Sequence, residues 1–188
     1  QFDRFHNRLA VFHFGGHSDQ EGLMLTDAKI NGQSLAIYLG KEPNLKLVFL
    51  NGCTNIGHVE ILLQGGVPLI IATKKSIADH RAIKLSSRFY QALQKGRSIR
   101  DAFEIAIDSL DKGRNIDGCI VEYRNLAIGA EEEVLEWGLY CRQEASGGLD
   151  WKISDWLKTN KSKAVNRPIF TSAYPSSPEQ IIGRNRAL

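Results

Sequence analysis

Short apolar segments that alternate with amphipathic segments constrain this sequence more than any other feature. The apolar runs are LAVFHF (9–14), LKLVFL (45–50) and VPLIIAT (67–73). None of them alternates strictly between apolar and polar residues, which is typical of strands buried on both faces. Helical periodicity predicts helices at 34–40, 56–66, 78–96 and 98–113. This order of strands and helices predicts an α/β fold with a mostly parallel central sheet flanked by helices.

Weaker patterns complete the organisation. GLMLTD (22–27) and a turn at Asn31-Gly32 predict a small hairpin or loop. CIVEY (119–123) and LAIG (126–129) predict an edge strand. The composition of EASGGLDW (144–151) is typical of a loop, and the proline-rich segment 166–180 is typical of a linker.

Composition favours a globular domain and argues against several classes of partner. The 188 residues are 43% hydrophobic and 24% charged, which is ordinary for a domain with its own core. The net charge is +3, and the Lys and Arg residues are scattered, so we expect no direct contact with nucleic acid. The sequence shows neither an apolar run of membrane-spanning length nor a secretory signal pattern. We therefore expect no membrane partner and a cytoplasmic location.

The cysteines support the same location. Cys53, Cys119 and Cys141 form no CxxC motif, and an odd number of thiols cannot all pair. This usage is typical of a reducing compartment, where a special cysteine serves reactivity rather than crosslinking.

Two of the apolar runs end in residues that carry chemistry. VFHFGGH places His17 just beyond the first run, and LKLVFLNGC places Cys53 just beyond the second. Working side chains of parallel sheets lie outside the carboxyl ends of the strands. The two residues are 36 positions apart (53 − 17), about the length of one crossover unit. The sequence therefore predicts that His17 and Cys53 meet at one edge of the sheet.

A cysteine beside a histidine is the pattern of nucleophilic catalysis. A free thiol is mostly protonated at neutral pH, and a histidine within reach takes its proton or stabilises the thiolate. Gly16 and Gly52 flank the pair without side chains, so a substrate backbone can approach closely. Backbone N–H groups near His17 and at Cys53 are candidates for stabilising a developing oxyanion.

Simpler interpretations of these residues stay open at this point. A cysteine in an apolar run is usually a core residue, and a single loop histidine is more often a surface residue. His13 lies inside the first run, and we interpret it as a packed histidine behind the pair. Zinc ligands can be sought among His13, His17, Cys53 and His58. Their spacing does not match paired zinc ligands, so we expect no metal and no cofactor.

The strand-end motifs resemble those of a known family. HFGGH (13–17) and LVFLNGC (47–53) resemble the HFAGH-like and LxxLxxC motifs of the CHAT family of caspase-like, clan CD cysteine peptidases. LIIATKKSIADHRAIKLSSRFYQALQKGRSIRDAFEIA (69–106) resembles the segment after the catalytic cysteine in that family. There, an IAT strand, a DxxA helix, an FYxxL stretch and a GxSxxxA helix start occur in this order. The resemblance covers residues 11–106 and implies a caspase-like three-layer sandwich.

The resemblance also implies roles for single residues. It implies that Cys53 is the nucleophile and His17 the general base of a cysteine endopeptidase that cleaves partner proteins. Ser18 stands where many relatives have a glycine after the histidine. With Gly16 and Gly52, Ser18 is expected to form the oxyanion site.

Two acidic residues are candidates for substrate binding. Asp79 matches a position at which some relatives of this clan carry an acid that helps to select a basic P1 side chain. The alternative, which we favour, is that Ser76 and Asp79 form a capping-box-like start of helix 78–96. Asp19 follows His17 and is either part of the substrate cleft or part of a solvated loop.

A second resemblance concerns the end of the sequence. EWGLYCRQEASGGLDWKISDW (136–156) is similar to the segment that follows this domain in bacterial effector proteins. IIGRNRAL (181–188) resembles the opening of STAND-type NTPase modules, although Ala187 replaces the usual acidic residue, and a solvated tail is the alternative. The resemblance implies a peptidase domain at 1–145 and a linker at 146–188.

We therefore expect a fragment of a larger bacterial defence or signalling protein. Its expected partners are a protein substrate and a regulatory NTPase or sensor module, with oligomerisation on activation.

Two other functions compete with peptidase activity. A catalytically inactive caspase-like domain can serve protein–protein interaction or regulation, because fold does not fix function. A nucleotide-binding doubly wound domain ranks last, since the sequence contains neither GxGxxG nor GxxxxGK[ST].

Overall fold

The chain forms a mixed α/β structure around one central sheet. A computed structural model describes residues 7–19, 21–24, 29–53, 55–110, 121–123 and 136–160. The strands in these ranges are β1 (Val11–Phe14), β2 (Gly22–Met24), β3 (Lys29–Asn31), β4 (Leu47–Leu50), β5 (Leu69–Thr73), β6 (Val121–Tyr123) and β7 (Trp137–Cys141). The α-helices are α1 (Gly32–Leu39), α2 (Ile56–Gln64), α3 (Asp79–Gln94), α4 (Ile99–Asp108) and α5 (Ile153–Asn160). A 3₁₀ helix spans Gln143–Asp150.

The central sheet has five strands in the order β1-β4-β5-β7-β6. β1 and β4 pair in parallel, with Val11 opposite Leu47 and Phe14 opposite Leu50, and β4 also pairs in parallel with β5. β7 runs antiparallel to β5 and parallel to β6. The prediction of a mostly parallel sheet is therefore confirmed, and β6 is an edge strand as expected from CIVEY.

Two hydrophobic cores lie on opposite faces of this sheet. Along β4, Leu47 and Phe49 belong to the core shared with α3 and α4, whereas Val48 and Leu50 belong to the core shared with α1 and α2. All four residues are 0% exposed. Burial on both faces explains why the sequence of this strand does not alternate. Helices, sheet and helices thus form three layers, as in a caspase-like sandwich.

The helices confirm most of the predicted apolar faces. Ser98 caps α4, because its Oγ accepts a hydrogen bond from the Asp101 N–H at 3.1 Å. The buried residues of α4 are those predicted by its periodicity: Ile99, Ala102, Phe103, Ala106 and Ile107. In α3, Ile83 fits the helical period of the apolar residues and would be expected on the buried face, but this residue is 53% exposed. The buried face of α3 instead consists of Ala82, Leu85, Phe89, Ala92 and Leu93.

The region around the small hairpin differs in one detail from the prediction. β2 and β3 form the expected antiparallel pair. Asn31, however, is not part of a turn: it ends β3 and caps α1, with its Oδ1 accepting from the Ser34 N–H at 2.8 Å. An asparagine side chain that satisfies a free helical N–H explains why the helix starts here.

β7 was not predicted from the sequence, and the segment after it was expected to be a loop. β7 is completely buried and pairs with β5 along its whole length. Residues 143–150 form a 3₁₀ helix, from which Leu149 is buried in the core with α3 and α4. The domain boundary after residue 145 stays a prediction, although Trp151, beyond it, packs on the same core. The segments 126–129, 166–180 and 181–188 lie outside the described residues.

The described part of the chain contains no helix with the length and apolarity required to cross a bilayer. Within that part, Cys53 and Cys141 are both free thiols.

His13 belongs to an aromatic cluster at the β1 edge of the sheet. Its ring is stacked on Phe49, with centroids 4.6 Å apart, and lies 5.5 Å from the ring of Tyr90. The stacking agrees with the packed role that the sequence suggested, but His13 is an exposed residue and is not part of the buried core. Desolvation by these neighbours lowers the pKa of His13 below its ordinary value. Part of the residue remains exposed, and hydration there limits the effect.

We expect His13→Phe to reduce the loss of stability in mild acid. The unfolded chain binds a proton at His13 near pH 6.5, whereas the folded chain binds it only at lower pH, so acid favours unfolding below that value. Phenylalanine retains the stacking and does not titrate. Urea denaturation from about pH 7 to about pH 5 should show a smaller fall in the free energy of unfolding for His13→Phe than for wild type. His80→Gln, which removes an exposed histidine, is the control, and identical pH slopes for wild type and His13→Phe would contradict this expectation.

Candidate active site

The ends of β1 and β4 lie side by side at one edge of the sheet. The parallel ladder continues one residue beyond the strands, because the Asn51 N–H donates to the Phe14 carbonyl at 2.8 Å. The chain therefore leaves both strands in the same direction. This is the arrangement that the sequence predicted for the segments carrying His17 and Cys53.

The two loops beyond these strands contact each other on both sides of His17 and Cys53. Ser18 Oγ donates to the Cys53 carbonyl at 2.6 Å. A Cβ at Gly52 would collide with the Gly16 carbonyl and lie 2.7 Å from Ser18 Oγ. Only a residue without a side chain fits here, so Gly52 lets the two backbones meet. The sequence had suggested a different use of this glycine, the approach of a substrate.

The loop that carries His17 is anchored to the small hairpin. The His17 carbonyl accepts from the Met24 N–H at 2.9 Å, and the Asp19 N–H donates to the Gly22 carbonyl at 3.1 Å. Ser18 lies opposite the buried Leu23 in an isolated antiparallel bridge. This pairing does not use the Ser18 N–H. The His17 residue is exposed, so a substrate can reach it.

Cys53 is half-buried, and a hydroxyl lies beside its sulfur. Ser76, in the loop between β5 and α3, places its Oγ 3.7 Å from Cys53 Sγ. The prediction that Ser76 caps α3 is wrong, because the residue at the cap position is Ala78 and no side chain bonds there. Asp79 does lie in the first turn of α3, where a carboxylate is favoured by the helix dipole.

Buried polar side chains hold the backbone around Cys53. Asn51 connects the end of β4 to two other elements: its Nδ2 donates to the Ala82 carbonyl in α3 at 2.9 Å, and its Oδ1 accepts from Trp137 Nε1 in β7 at 3.1 Å. Thr73 Oγ1, at the end of β5, donates to the Gly52 carbonyl at 2.7 Å. An unpaired polar group at these positions would cost about 1–3 kcal/mol, so the network favours one conformation of this segment.

The carboxylate of Asp19 already has several donors. Its Oδ1 accepts from the N–H groups of Glu21 at 2.9 Å and Gly22 at 3.0 Å, and its Oδ2 lies 2.9 Å from Lys29 Nζ. Hydrogen bonding by Lys29, and then by the two backbone groups, holds the pKa of Asp19 below its ordinary value. These contacts favour a role in shaping the exposed loop. The roles of Asp19 and Asp79 in substrate binding stay predictions.

The histidines considered as zinc ligands lie in different surroundings. His13 is exposed and stacks on Phe49, which belongs to the core shared with α3 and α4. His58 is buried in α2, with Nε2 2.9 Å from the Asp19 carbonyl and Nδ1 close to Gly32 at the start of α1. Among the described residues no three His, Cys, Asp or Glu side chains are grouped as a metal site would require.

Sequence reasoning missed the polar residues that support Cys53. These residues are Thr73, Asn55 and Ser76. Helix α2 separates Thr73 and Ser76 from Cys53 in the sequence, whereas Asn55 lies two residues after Cys53. One signal was available: Thr73 is the single polar residue of an otherwise apolar strand, VPLIIAT. A polar side chain in such a position needs a partner, and the end of the neighbouring strand provides it.

Comparison with known proteins agrees with the motifs at the strand ends. The family model named CHAT domain matches residues 5–158, which is well over half of the chain and extends from before β1 into α5. No curated protein matches the sequence. Because the match covers most of the chain and the fold is the expected three-layer sandwich, the chain belongs to the CHAT domain family.

Proposed function

We propose that this protein is a cysteine endopeptidase in which Cys53 is the nucleophile and His17 the general base. The observation that carries the proposal is the contact of the two strand-end loops, through Ser18 Oγ on the Cys53 carbonyl and Gly52 on Gly16. Membership in a caspase-like, peptidase-related family supports the same chemistry. The reactive side chains lie at the carboxyl edge of a parallel pair of strands, where α/β folds place their active sites.

The proposed reaction follows the usual course of thiol catalysis. His17 takes the proton of the Cys53 thiol, and the thiolate attacks the scissile carbonyl carbon, whose π electrons move onto the oxygen. When the carbonyl re-forms, the C–N bond breaks, and the amine leaves with the proton from His17. Water then hydrolyses the thioester, and Cys53 regains its proton. Ser76 Oγ, 3.7 Å from the sulfur, supports the thiolate by donating a hydrogen bond to it.

The oxyanion in this proposal is bound by backbone N–H groups. The hydroxyl of Ser18 is committed to the Cys53 carbonyl, whereas its N–H is not used by the bridge to Leu23. The N–H groups of Ser18 and Cys53 are therefore the proposed donors, next to Gly16 and Gly52. Loss of one such donor typically costs about 3 kcal/mol of transition-state stabilisation.

The proposal extends to the biological setting that the sequence suggested. We propose a protein substrate, selected in part by Asp79 in the first turn of α3, beside the Ser76 loop. We further propose that a regulatory NTPase or sensor module controls the domain in a cytoplasmic defence or signalling protein, with oligomerisation on activation. This part rests on the resemblance of the segments 136–156 and 181–188 alone.

Covalent labelling should identify Cys53 as the nucleophile. Peptidyl acyloxymethyl ketones with a basic, an acidic or an apolar P1 residue should label the wild type at Cys53, as mapped by mass spectrometry. Cys53→Ala should not be labelled, and His17→Ala should be labelled at least about 100-fold more slowly because the thiol loses its base. His80→Ala, at an exposed site on α3, serves as the matched histidine control. Equal rates for wild type and His17→Ala would instead favour a domain used for protein interactions.

Gly52→Ala should separate the two loops. The added Cβ meets the Gly16 carbonyl, which is backbone and cannot rotate away, so we expect a loss of about 1–3 kcal/mol in the free energy of unfolding. Labelling of Cys53 should slow in the same variant. Gly57→Ala is the matched control, because a Cβ there has no atom within 4 Å and alanine favours the helix α2 by about 1 kcal/mol. The proposed close approach is wrong if Gly52→Ala matches wild type in urea stability and labelling rate.

A further inference from the structure

We propose that Thr73 is a positioning residue that orients the Cys53 N–H for oxyanion binding. Thr73 is the last residue of β5, and it is 0% exposed, so it touches neither solvent nor substrate. It acts through the peptide group between Gly52 and Cys53. This inference rests on the proposed function, since it concerns a charge that develops only when Cys53 attacks a carbonyl group.

The hydroxyl of Thr73 uses all of its hydrogen-bonding capacity on the segment around Cys53. Its proton goes to the Gly52 carbonyl at 2.7 Å. Its oxygen faces the Asn55 N–H at 3.0 Å and Asn55 Nδ2 at 3.3 Å. A hydroxyl has one donor and two acceptor sites, so Thr73 is saturated by three groups, one on the residue before Cys53 and two on Asn55, two residues after it. Asn55 is itself 0% exposed, which keeps water away from this cluster.

The bond from Thr73 fixes the direction of the Cys53 N–H. The described residues contain no cis peptide bond. In the trans peptide group between Gly52 and Cys53, the C=O and N–H bonds therefore lie in one plane and point in opposite directions. The carbonyl points to Thr73 in β5, and the N–H therefore points away from β5. In the sheet, β4 lies between β5 and β1, so the side opposite to β5 is the side of β1.

A second hydroxyl fixes the peptide group on the other side of Cys53. Ser18 Oγ donates to the Cys53 carbonyl at 2.6 Å. The backbone of Cys53 is thus held at both carbonyls, by Thr73 from β5 and by Ser18 from the loop after β1. No described residue accepts a hydrogen bond from the Cys53 N–H itself. An N–H that is held in a fixed direction, with no acceptor among the residues that the structure describes, meets the requirement of an oxyanion site.

Two reactions of the same thiol separate this role from a general structural role. In alkylation by iodoacetamide, the sulfur attacks the CH₂ carbon, an S–C bond forms and iodide leaves. The attacked carbon is not a carbonyl carbon, so no oxyanion forms. Acylation by p-nitrophenyl acetate forms a tetrahedral oxyanion before p-nitrophenolate leaves and an acetyl thioester remains. Both probes are small and need no P1 side chain. The rate that depends on Cys53 is obtained by subtracting the rate of Cys53→Ala.

Thr73→Val should affect these reactions differently. We expect Cys53 acylation to fall at least about tenfold, because the Cys53 N–H is no longer held in place. Alkylation should remain within about twofold of wild type, because the thiol and its base are unchanged. Thr73→Ser keeps the hydroxyl and should restore most of the acylation rate. Circular dichroism and thermal unfolding establish that each variant is folded.

The possible outcomes are distinct. Equal loss of both reactions in folded Thr73→Val, or loss of neither, would overturn the positioning role of Thr73. If Thr73→Val does not fold, Thr73→Ser decides: retained acylation supports the role of the hydroxyl, and a selective loss of acylation overturns it. A wild type without any acylation at Cys53 would remove the proposed function, and the inference with it.

Discussion

The parallel pairing of β1 with β4 is the constraint on which the site depends. It aligns the carboxyl ends of two strands from distant parts of the sequence, and the bond from Asn51 to Phe14 continues that alignment into the loops. The loops can then meet only because Gly52 has no side chain. The close approach of Gly52 to Gly16 is therefore a property of the backbone and does not depend on the His17 and Cys53 side chains.

Burial on both faces made this part of the fold predictable from sequence. β4 has no polar face, since all four of its residues are buried, and an apolar run of this kind between helical segments favours the centre of a parallel sheet. β1 differs, because it is an edge strand in which only Phe14 is buried, so the expectation of burial on both faces is wrong for LAVFHF. Since β1 still pairs in parallel with β4, the positions of His17 and Cys53 just past the strand ends follow from chain direction. The cap at Ser98 and the buried face of α4 were predictable for a similar reason, because both depend on local sequence.

The parts that sequence reasoning missed depend on contacts between distant segments. β7 is as buried as β5 and pairs with it in an antiparallel direction. In this part of the sequence no clear periodicity indicates a strand. Ile83 fits a helical period yet faces outward, since the position of the sheet, and not the period, determines which side of α3 is buried. Ser76 has the spacing of a capping residue, but the path of its loop places the hydroxyl beside Cys53.

The candidate site combines an exposed side with a buried, hydrogen-bonded side. His17 is open to solvent, whereas Thr73 and Asn55 behind Cys53 are 0% exposed and bonded to each other. Breaking a hydrogen bond in a buried environment costs about 1–3 kcal/mol of free energy for each polar group that is left without a partner. Loops on a protein surface are otherwise the most mobile part of a fold. Polar contacts beneath the surface therefore give the backbone of Cys53 a definite orientation, while the residue itself is only half-buried.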